Sequence, residues 1–336
     1  MTTETPRIAA IVPCFNEEAA VRTVVEDLRR AVPEIVVYVY DNNSTDRTAE
    51  VAREAGAVVR SETRRGKGNV VRRAFADIDA DVYLLIDGDD TYDAGAARQL
   101  IDTLLEGPYD HVLGVRRQSE GVPSAYRPGH ETGNRMFNRL VGWLFGEPVT
   151  DMLSGYRVFS RRFVKSFPAL SREFEIETEL TVHAMSMRVP QVEVEIGFKD
   201  RPTGSESKLR TYHDGMRILW LIVQLLRHER PIQFYGVFAA LCFVVSAVLG
   251  IPVIVDFAET GLVPRFPTAI LASSFGVLGC LAVTIGLVLD GVLRARRESM
   301  RLTYLGLPSA DVPAAPPLPL QEHAIVEHKQ APVRAG

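Results

Sequence analysis

Through the first 115 residues, short β-branched apolar runs alternate with stretches whose apolar positions recur every three to four residues. The runs at 8–12, 35–40, 58–60, 82–86 and 111–115 are the right length for strands, and polar or glycine-rich segments bound them. Between them EEAAVRTVVEDLRRAV and TAEVAREAGA carry a helical stripe, with Ser44 in position to cap the second. Alternating strands and helices predict an α/β domain built on a mostly parallel sheet covered by helices. Beyond residue 115 the pattern predicts an amphipathic helix at 133–146 carrying Arg135 and Arg139. A further helix is expected in EIETELTVHAM and a strand in VEVEIGF.

The apolar pattern then changes scale. Phe234 to Val255 and Phe266 to Leu289 contain no charged residue, and each exceeds the roughly 20 residues that cross a bilayer as a helix. Arg227 and Arg230 precede the first run. Arg294, Arg296, Arg297 and Arg301 follow the second, while the intervening DFAETGLVPR has two acids and one Arg. Basic flanks on one side predict both termini in the cytoplasm and the short loop outside. The start, MTTETPR, lacks the apolar core of a signal peptide and agrees. The expected division is a cytoplasmic α/β domain over 1–210, an interfacial amphipathic helix over 211–230, two membrane helices over 231–295, and a mostly disordered tail over 296–336.

Composition narrows the classes. The net charge of −4 gives no global basic surface for nucleic acid. Three scattered cysteines, Cys14, Cys242 and Cys280, have no metal-ligand spacing, and their odd count suits reduced thiols. No G-x-G-x-x-G follows the first strand, which excludes a dinucleotide-binding oxidoreductase.

Candidate chemistry collects where the strands stop. The first runs into Asn16 and Glu17, the second into Asp41 and Asn42, the fourth into Asp87 and Asp89, and the fifth into Arg116 and Arg117. In an open α/β sheet, ligands bind beyond the carboxyl ends of strands. Crowded carboxylates such as those of LLIDGDDTYDA repel one another unless a cation sits among them. The D-x-D pair Asp87 and Asp89 offers the hard oxygens that hold Mg2+ or Mn2+ against a diphosphate.

With VPCFNEE and YDNNSTDRT ahead of DGDD, the chain resembles the family-2 glycosyltransferases of GT-A fold, over about residues 8–210. It is particularly similar to the branch that makes polyprenyl-phosphate and dolichyl-phosphate sugars, several bacterial members of which carry a two-span anchor. The resemblance implies that Pro13, Phe15 and Glu17 hold the nucleoside, Asp41 contacts base or ribose, and Asp87 and Asp89 hold the metal-diphosphate. The chain departs from the family's common DADLQ form at Thr91, which leaves Asp90 or Asp93 as substitute ligands. VTDMLSGYRVF matches the D-x-x-S-G-[FY]-R segment. Asp151 then corresponds to the acid acting at the acceptor and Arg157 to a phosphate contact. Arg116 and Arg135 match the acceptor-phosphate grip, and in RPTGSESKL Arg201 and Lys208 match an element closing over the diphosphate. In RRGKGN, Lys67 is either a phosphate contact or an ordinary helix start.

The resemblance thus implies an inverting, metal-dependent transferase that moves a sugar, from a UDP-sugar in preference to GDP-mannose, to polyprenyl phosphate at the membrane. Anchors of this branch often associate, which leaves a homo-oligomer open. The alternative acceptor is a sugar hydroxyl of a lipid-linked or growing polysaccharide. An ionised lipid phosphate needs no base, whereas a hydroxyl would need Asp151 as one.

Overall fold

The computed structural model describes residues 5–117, 142, 150–169, 176–197, 223 and 226–310. Among the described residues seven strands form one sheet in the order β3-β2-β1-β4-β6-β5-β7. They are β1 (Ile8–Cys14), β2 (Val36–Asp41), β3 (Val58–Ser61), β4 (Val82–Leu85), β5 (His111–Arg117), β6 (Arg157–Ser160) and β7 (Gln191–Gly197). All neighbours run parallel except β6, which lies antiparallel between β4 and β5. The five strands expected in the first 115 residues are present with ends moved by one or two residues. β6 is the strand the periodicity did not announce, because it is four residues long and begins inside the SGYRVF motif.

Alternation along the strands sorts their side chains onto two faces. Ile8, Ala10, Val12 and Cys14 of β1, with Val82, Leu84 and Ile86, enter one apolar cluster. Ala9 and Ile11, with Tyr83 and Leu85, enter the other. Helices α1 (Val21–Ala31), α2 (Thr48–Glu54) and α4 (Ala97–Glu106) supply the first cluster. Helices α3 (Lys67–Asp77), α5 (Arg161–Ser166) and α6 (Ile176–Met187) supply the second. In α1 the buried set Val21, Val24, Val25 and Leu28 has the i, i+3, i+4, i+7 spacing of a single apolar stripe.

The chain winds outward from β1 through β2 to β3, then returns by α3 to place β4 on the other side of β1. The reversal leaves a crevice between the carboxyl ends of β1 and β4, where open α/β sheets bind ligands. Cys14 and Asp87 border it.

Two further helices, α7 (Pro231–Thr260) and α8 (Phe266–Leu305), are long and apolar enough to cross a membrane. They form an antiparallel hairpin around Gly261, whose φ of 70° closes α7 in the left-handed region. Gly279 lies under Phe243, whose ring would meet an added Cβ at 2.7 Å, and Ser246 donates to the Ala272 carbonyl at 2.7 Å. Val237, Val248 and Ile254 point outward, which a hairpin buried in a soluble core would not do.

α8 continues past residue 296 to Leu305, where Met300 and Tyr304, one turn apart, pack against the second apolar cluster. One expectation is corrected here. Ser44 does not cap α2: its hydroxyl accepts from the Asn16 amide at 2.9 Å, and Asp46 accepts from the Thr48 amide at 3.0 Å instead. The 133–146 helix, most of the 211–230 segment and the tail beyond 310 lie outside the described residues.

Candidate functional site

The crevice is built from loops tied to one another by side chains. Asn16 accepts from the Thr45 amide at 2.8 Å, and Thr48 accepts from the Glu17 amide at 2.9 Å, so the ends of β1 and β2 are held together. Asn42 donates to the Glu62 and Arg64 carbonyls at 2.8 and 2.7 Å and accepts from the Gly66 amide at 2.7 Å. That side chain thereby fixes the turn that starts α3. Asn16, Asn43 and Asp90 adopt φ of 55°, 66° and 54°. Asn and Asp tolerate this left-handed region, so these residues turn the chain at the sheet edge without the strain a branched side chain would bring.

Pro13 and Phe15 are half-buried at the end of β1, and the Arg65 guanidinium lies over the Phe15 ring at 5.9 Å. Asp41 closes β2 and accepts from the Ser44 amide at 3.3 Å. Glu17, Asp41, Asp87 and Asp89 are near enough for their charges to act on one buried thiol. Burial pushes Cys14 well above the ordinary cysteine value, and all four carboxylates push the same way. The central glycine of D-G-D is required by that thiol, since a Cβ at Gly88 would meet the Cys14 sulfur at 2.4 Å.

Asp87 does not stand alone. Lys67, buried at the first turn of α3, ion-pairs with Asp87 and with Glu177 of α6, the latter at 2.5 Å. Burial disfavours the Lys67 charge, but the two carboxylates outweigh it and hold the ammonium above its ordinary value. Burial raises Glu177, and Lys67 pulls it back. Gly155 packs on this group, where an added Cβ would sit 2.5 Å from Asp87 Oδ2 and 2.9 Å from Lys67 Nζ. The Gly155 amide donates to the Tyr92 hydroxyl at 2.9 Å. Burial, with the Asp87 charge adding to it, pushes that phenol up to about 12. Asp89 accepts from Thr91 Oγ1 at 2.7 Å, so the residue that replaces Gln orients the second aspartate. Asp93 accepts from the Gly95 amide at 3.0 Å and starts a single 3-10 turn.

Arg116, one residue from the end of β5, donates both Nε and Nη2 to Asp151 at 2.7 Å each. This bidentate pair is mostly buried, with side chains 18% and 8% exposed. The residues expected to grip phosphate and to act at the acceptor therefore form one unit. Thr150 just before it is held by Glu193 of β7, through its amide at 3.0 Å.

Arg157, expected at a phosphate, lies beneath the site. It is wholly buried and donates to the Ser154 carbonyl at 2.8 Å, the Met152 carbonyl at 2.7 Å and Thr181 Oγ1 at 2.8 Å. Burial lowers it to about 10, which still leaves it charged at neutral pH. It is a strut that shapes the 151–156 loop from beneath, with its guanidinium turned to carbonyls and a hydroxyl of the protein. His111 stacks on Phe159 at 5.1 Å beside it and stays neutral, lowered to about 3 by burial and then by the Arg157 charge. Arg135, Arg201 and Lys208 lie outside the described residues. Sequence reasoning understated Lys67 and Glu177. The available signal was a lysine between glycines at a helix start, but its partner is 110 residues away.

A carboxylate-rich crevice at the switch point of an α/β sheet, beside a bidentate Arg–Asp pair, lies where open sheets of this kind bind their ligands. The description "Glycosyl transferase family 2" matches residues 9–167. The glycosyltransferase AglJ of Haloferax volcanii is 32% identical over 297 residues, covering 88% of this chain and 96% of that one. The dolichyl-phosphate hexose transferase of the same organism is 30% identical over 225 residues, covering 66% and 95%. Among solved structures, glucosyl-3-phosphoglycerate synthase from Mycobacterium tuberculosis, in complex with Mn2+, UDP and phosphoglyceric acid, superposes with a TM-score of 0.56. Its identity is 23%, over 67% of this chain and 79% of that one, and it shares the GT-A fold. The chain belongs to the family-2 glycosyltransferases and is a transferase enzyme.

Proposed function

We propose that the protein is an inverting glycosyltransferase that moves a sugar from a nucleotide-sugar to polyprenyl phosphate, on the cytoplasmic face of the membrane that α7 and α8 cross. The observation that carries this reading is the bidentate Arg116–Asp151 pair on the sheet edge that also bears Asp87 and Asp89. An arginine held by a carboxylate is oriented to meet an anionic acceptor, and the acceptor phosphate is already ionised at neutral pH, with its second pKa near ~6. Asp151 serves as the positioner of that arginine, and its engagement at both oxygens speaks against a free base for a sugar hydroxyl. The dolichyl-phosphate hexose transferase among the relatives supports the lipid acceptor.

Pro13, Phe15, Glu17 and Asp41 take the nucleoside, and a UDP-sugar is favoured, in line with the UDP carried by the solved glucosyl-3-phosphoglycerate synthase. Asp87 and Asp89 would hold Mg2+ or Mn2+. Their donor chemistry fits: both are hard oxygen ligands, Asp87 is 29% exposed, and Gly155 leaves its Oδ2 uncovered by any Cβ. The described residues gather no cage of three or more His, Cys, Asp or Glu side chains, so remaining coordination positions would fall to diphosphate and water. When bound, the ion supplies neutralisation of the charge that builds on the leaving diphosphate. Lys67 neutralises Asp87 from behind, and Arg201 and Lys208 join the diphosphate while Arg135 joins the acceptor phosphate.

The test is transfer of labelled sugar into a solvent-extractable lipid by the purified full-length chain, across UDP- and GDP-sugars. Label recovered as a polyprenyl-phosphate sugar is the expected result; label recovered only in a longer oligosaccharide would move the acceptor to a hydroxyl.

A further inference from the structure

Asp110 immediately precedes β5, at the end of the sheet opposite the crevice, and its side chain is completely buried. From there to Arg116 is six steps along the strand, about 20 Å. Asp110 Oδ1 accepts from Ser160 Oγ and Arg162 Nε at 2.5 Å each, and Oδ2 accepts from Arg162 Nη2 at 2.5 Å. The fourth donor comes from the anchor: the Tyr304 hydroxyl, in the last turn of α8, reaches Oδ2 at 2.6 Å. The Arg162 guanidinium also lies over the Tyr304 ring at 4.7 Å.

Two other contacts reinforce this junction. Met300 and Tyr304 pack on the apolar cluster of one sheet face, and Ala310 packs on that of the other, so the chain straddles the sheet as it leaves α8. Two turns earlier, Arg297 donates to Glu229 at 2.7 Å, and Glu229 also accepts from Ser186 at the end of α6. A flexible tether needs none of this. A buried carboxylate left one donor short is costly, so the cluster is complete only with α8 docked.

We propose that the cytoplasmic end of α8 is a rigid joint, with Tyr304 the positioning residue that fixes the catalytic domain at one attitude relative to the bilayer. Tyr304 acts on no substrate. It sets where Arg116 and Asp151 stand with respect to an acceptor whose chain is confined to the membrane. This inference rests on the lipid-acceptor reading and adds to it the requirement for a fixed geometry.

The test compares full-length wild type and Tyr304→Phe in phosphatidylcholine–phosphatidylglycerol vesicles. One acceptor is undecaprenyl phosphate in the same bilayer and the other is water-dispersed farnesyl phosphate. A misplaced reactant costs rate steeply, so Tyr304→Phe is expected to lose about tenfold on the bilayer acceptor while its rate on farnesyl phosphate is retained. Equal losses on both acceptors would make Tyr304 a stability residue only and overturn the proposal, as would no loss on either. A second readout does not need turnover. Nitroxide labels at the exposed positions Glu106 and Leu302, in a Cys280→Ser background, should give a narrow distance distribution that broadens in Tyr304→Phe. If wild type turns over neither acceptor, the acceptor reading fails, and this distribution alone decides the joint; a distribution unchanged by the substitution overturns it.

Discussion

Asp87 and Asp110 are both aspartates at the ends of strands in one sheet, and the fold treats them in opposite ways. Asp110 is fully covered and receives four donors spread over both oxygens. Asp87 is 29% exposed, is paired through Oδ1 with Lys67, and turns Oδ2 toward a glycine that cannot cover it. A saturated carboxylate belongs to the structure, whereas one with coordination to spare belongs to a ligand. A related distinction separates two arginines near the site. Arg157 spends its donors on backbone carbonyls and a threonine, while Arg116 presents a bidentate face to Asp151 at the site edge.

The comparison can be broken at its strongest point first. Asp87→Asn and Asp89→Asn should each lower sugar transfer by about 10²–10³-fold, the scale of losing an electrostatic partner of a developing charge, with the melting temperature of Asp89→Asn close to wild type and that of Asp87→Asn lowered only modestly, since Glu177 still pairs with Lys67. A melting temperature that collapses instead would put Asp87 in the same class as Asp110. Asp110→Asn should do the reverse. It leaves Arg162 facing a neutral amide and should cost about 3 kcal/mol of stability, read as a lowered melting temperature, while donor affinity of the folded protein is kept.

A smaller effect is expected from pH. His111 is held neutral, its folded value about 3 against 6.5 in a free chain. As pH falls the unfolded chain takes up the proton first, so the stability from keeping His111 neutral is complete above 6.5 and drains away between 6.5 and 3. By pH 5 the loss is on the order of 2 kcal/mol. His111→Gln should flatten that acid limb in unfolding curves collected across this window; an unchanged limb would mean the histidine is not held neutral. The smallest effect calibrates the rest. Asp46→Ala removes acceptors for the Thr48 and Glu18 amides and should cost about 1 kcal/mol, with Ser44→Ala costing less.

Much of this was legible in the chain because it is local. Polar residues ending apolar runs announced the edge that gathers Glu17, Asp41, Asp87 and Asp89, and the two uncharged runs announced α7 and α8. What escaped depends on distance through space. β6 is four residues long, and only its pairing with β4 and β5 makes it a strand. Arg157 in SGYR reads as a ligand contact until the carbonyls of Met152 and Ser154 and the Thr181 hydroxyl enclose it. Lys67 reads as a helix start until Glu177 arrives from α6. The last turns of α8 read as the start of the tail, since Met300 and Tyr304 are too few apolar positions to signal a docked face.

The most direct test of the account is nucleoside diphosphate release by the purified full-length chain in detergent. It is measured with UDP- and GDP-sugars, with and without undecaprenyl phosphate, and with EDTA as the control. The account predicts release that needs both the lipid phosphate and the free divalent ion. Release at the same rate without the lipid would contradict it, and would return Asp151 to consideration as the base for a hydroxyl acceptor.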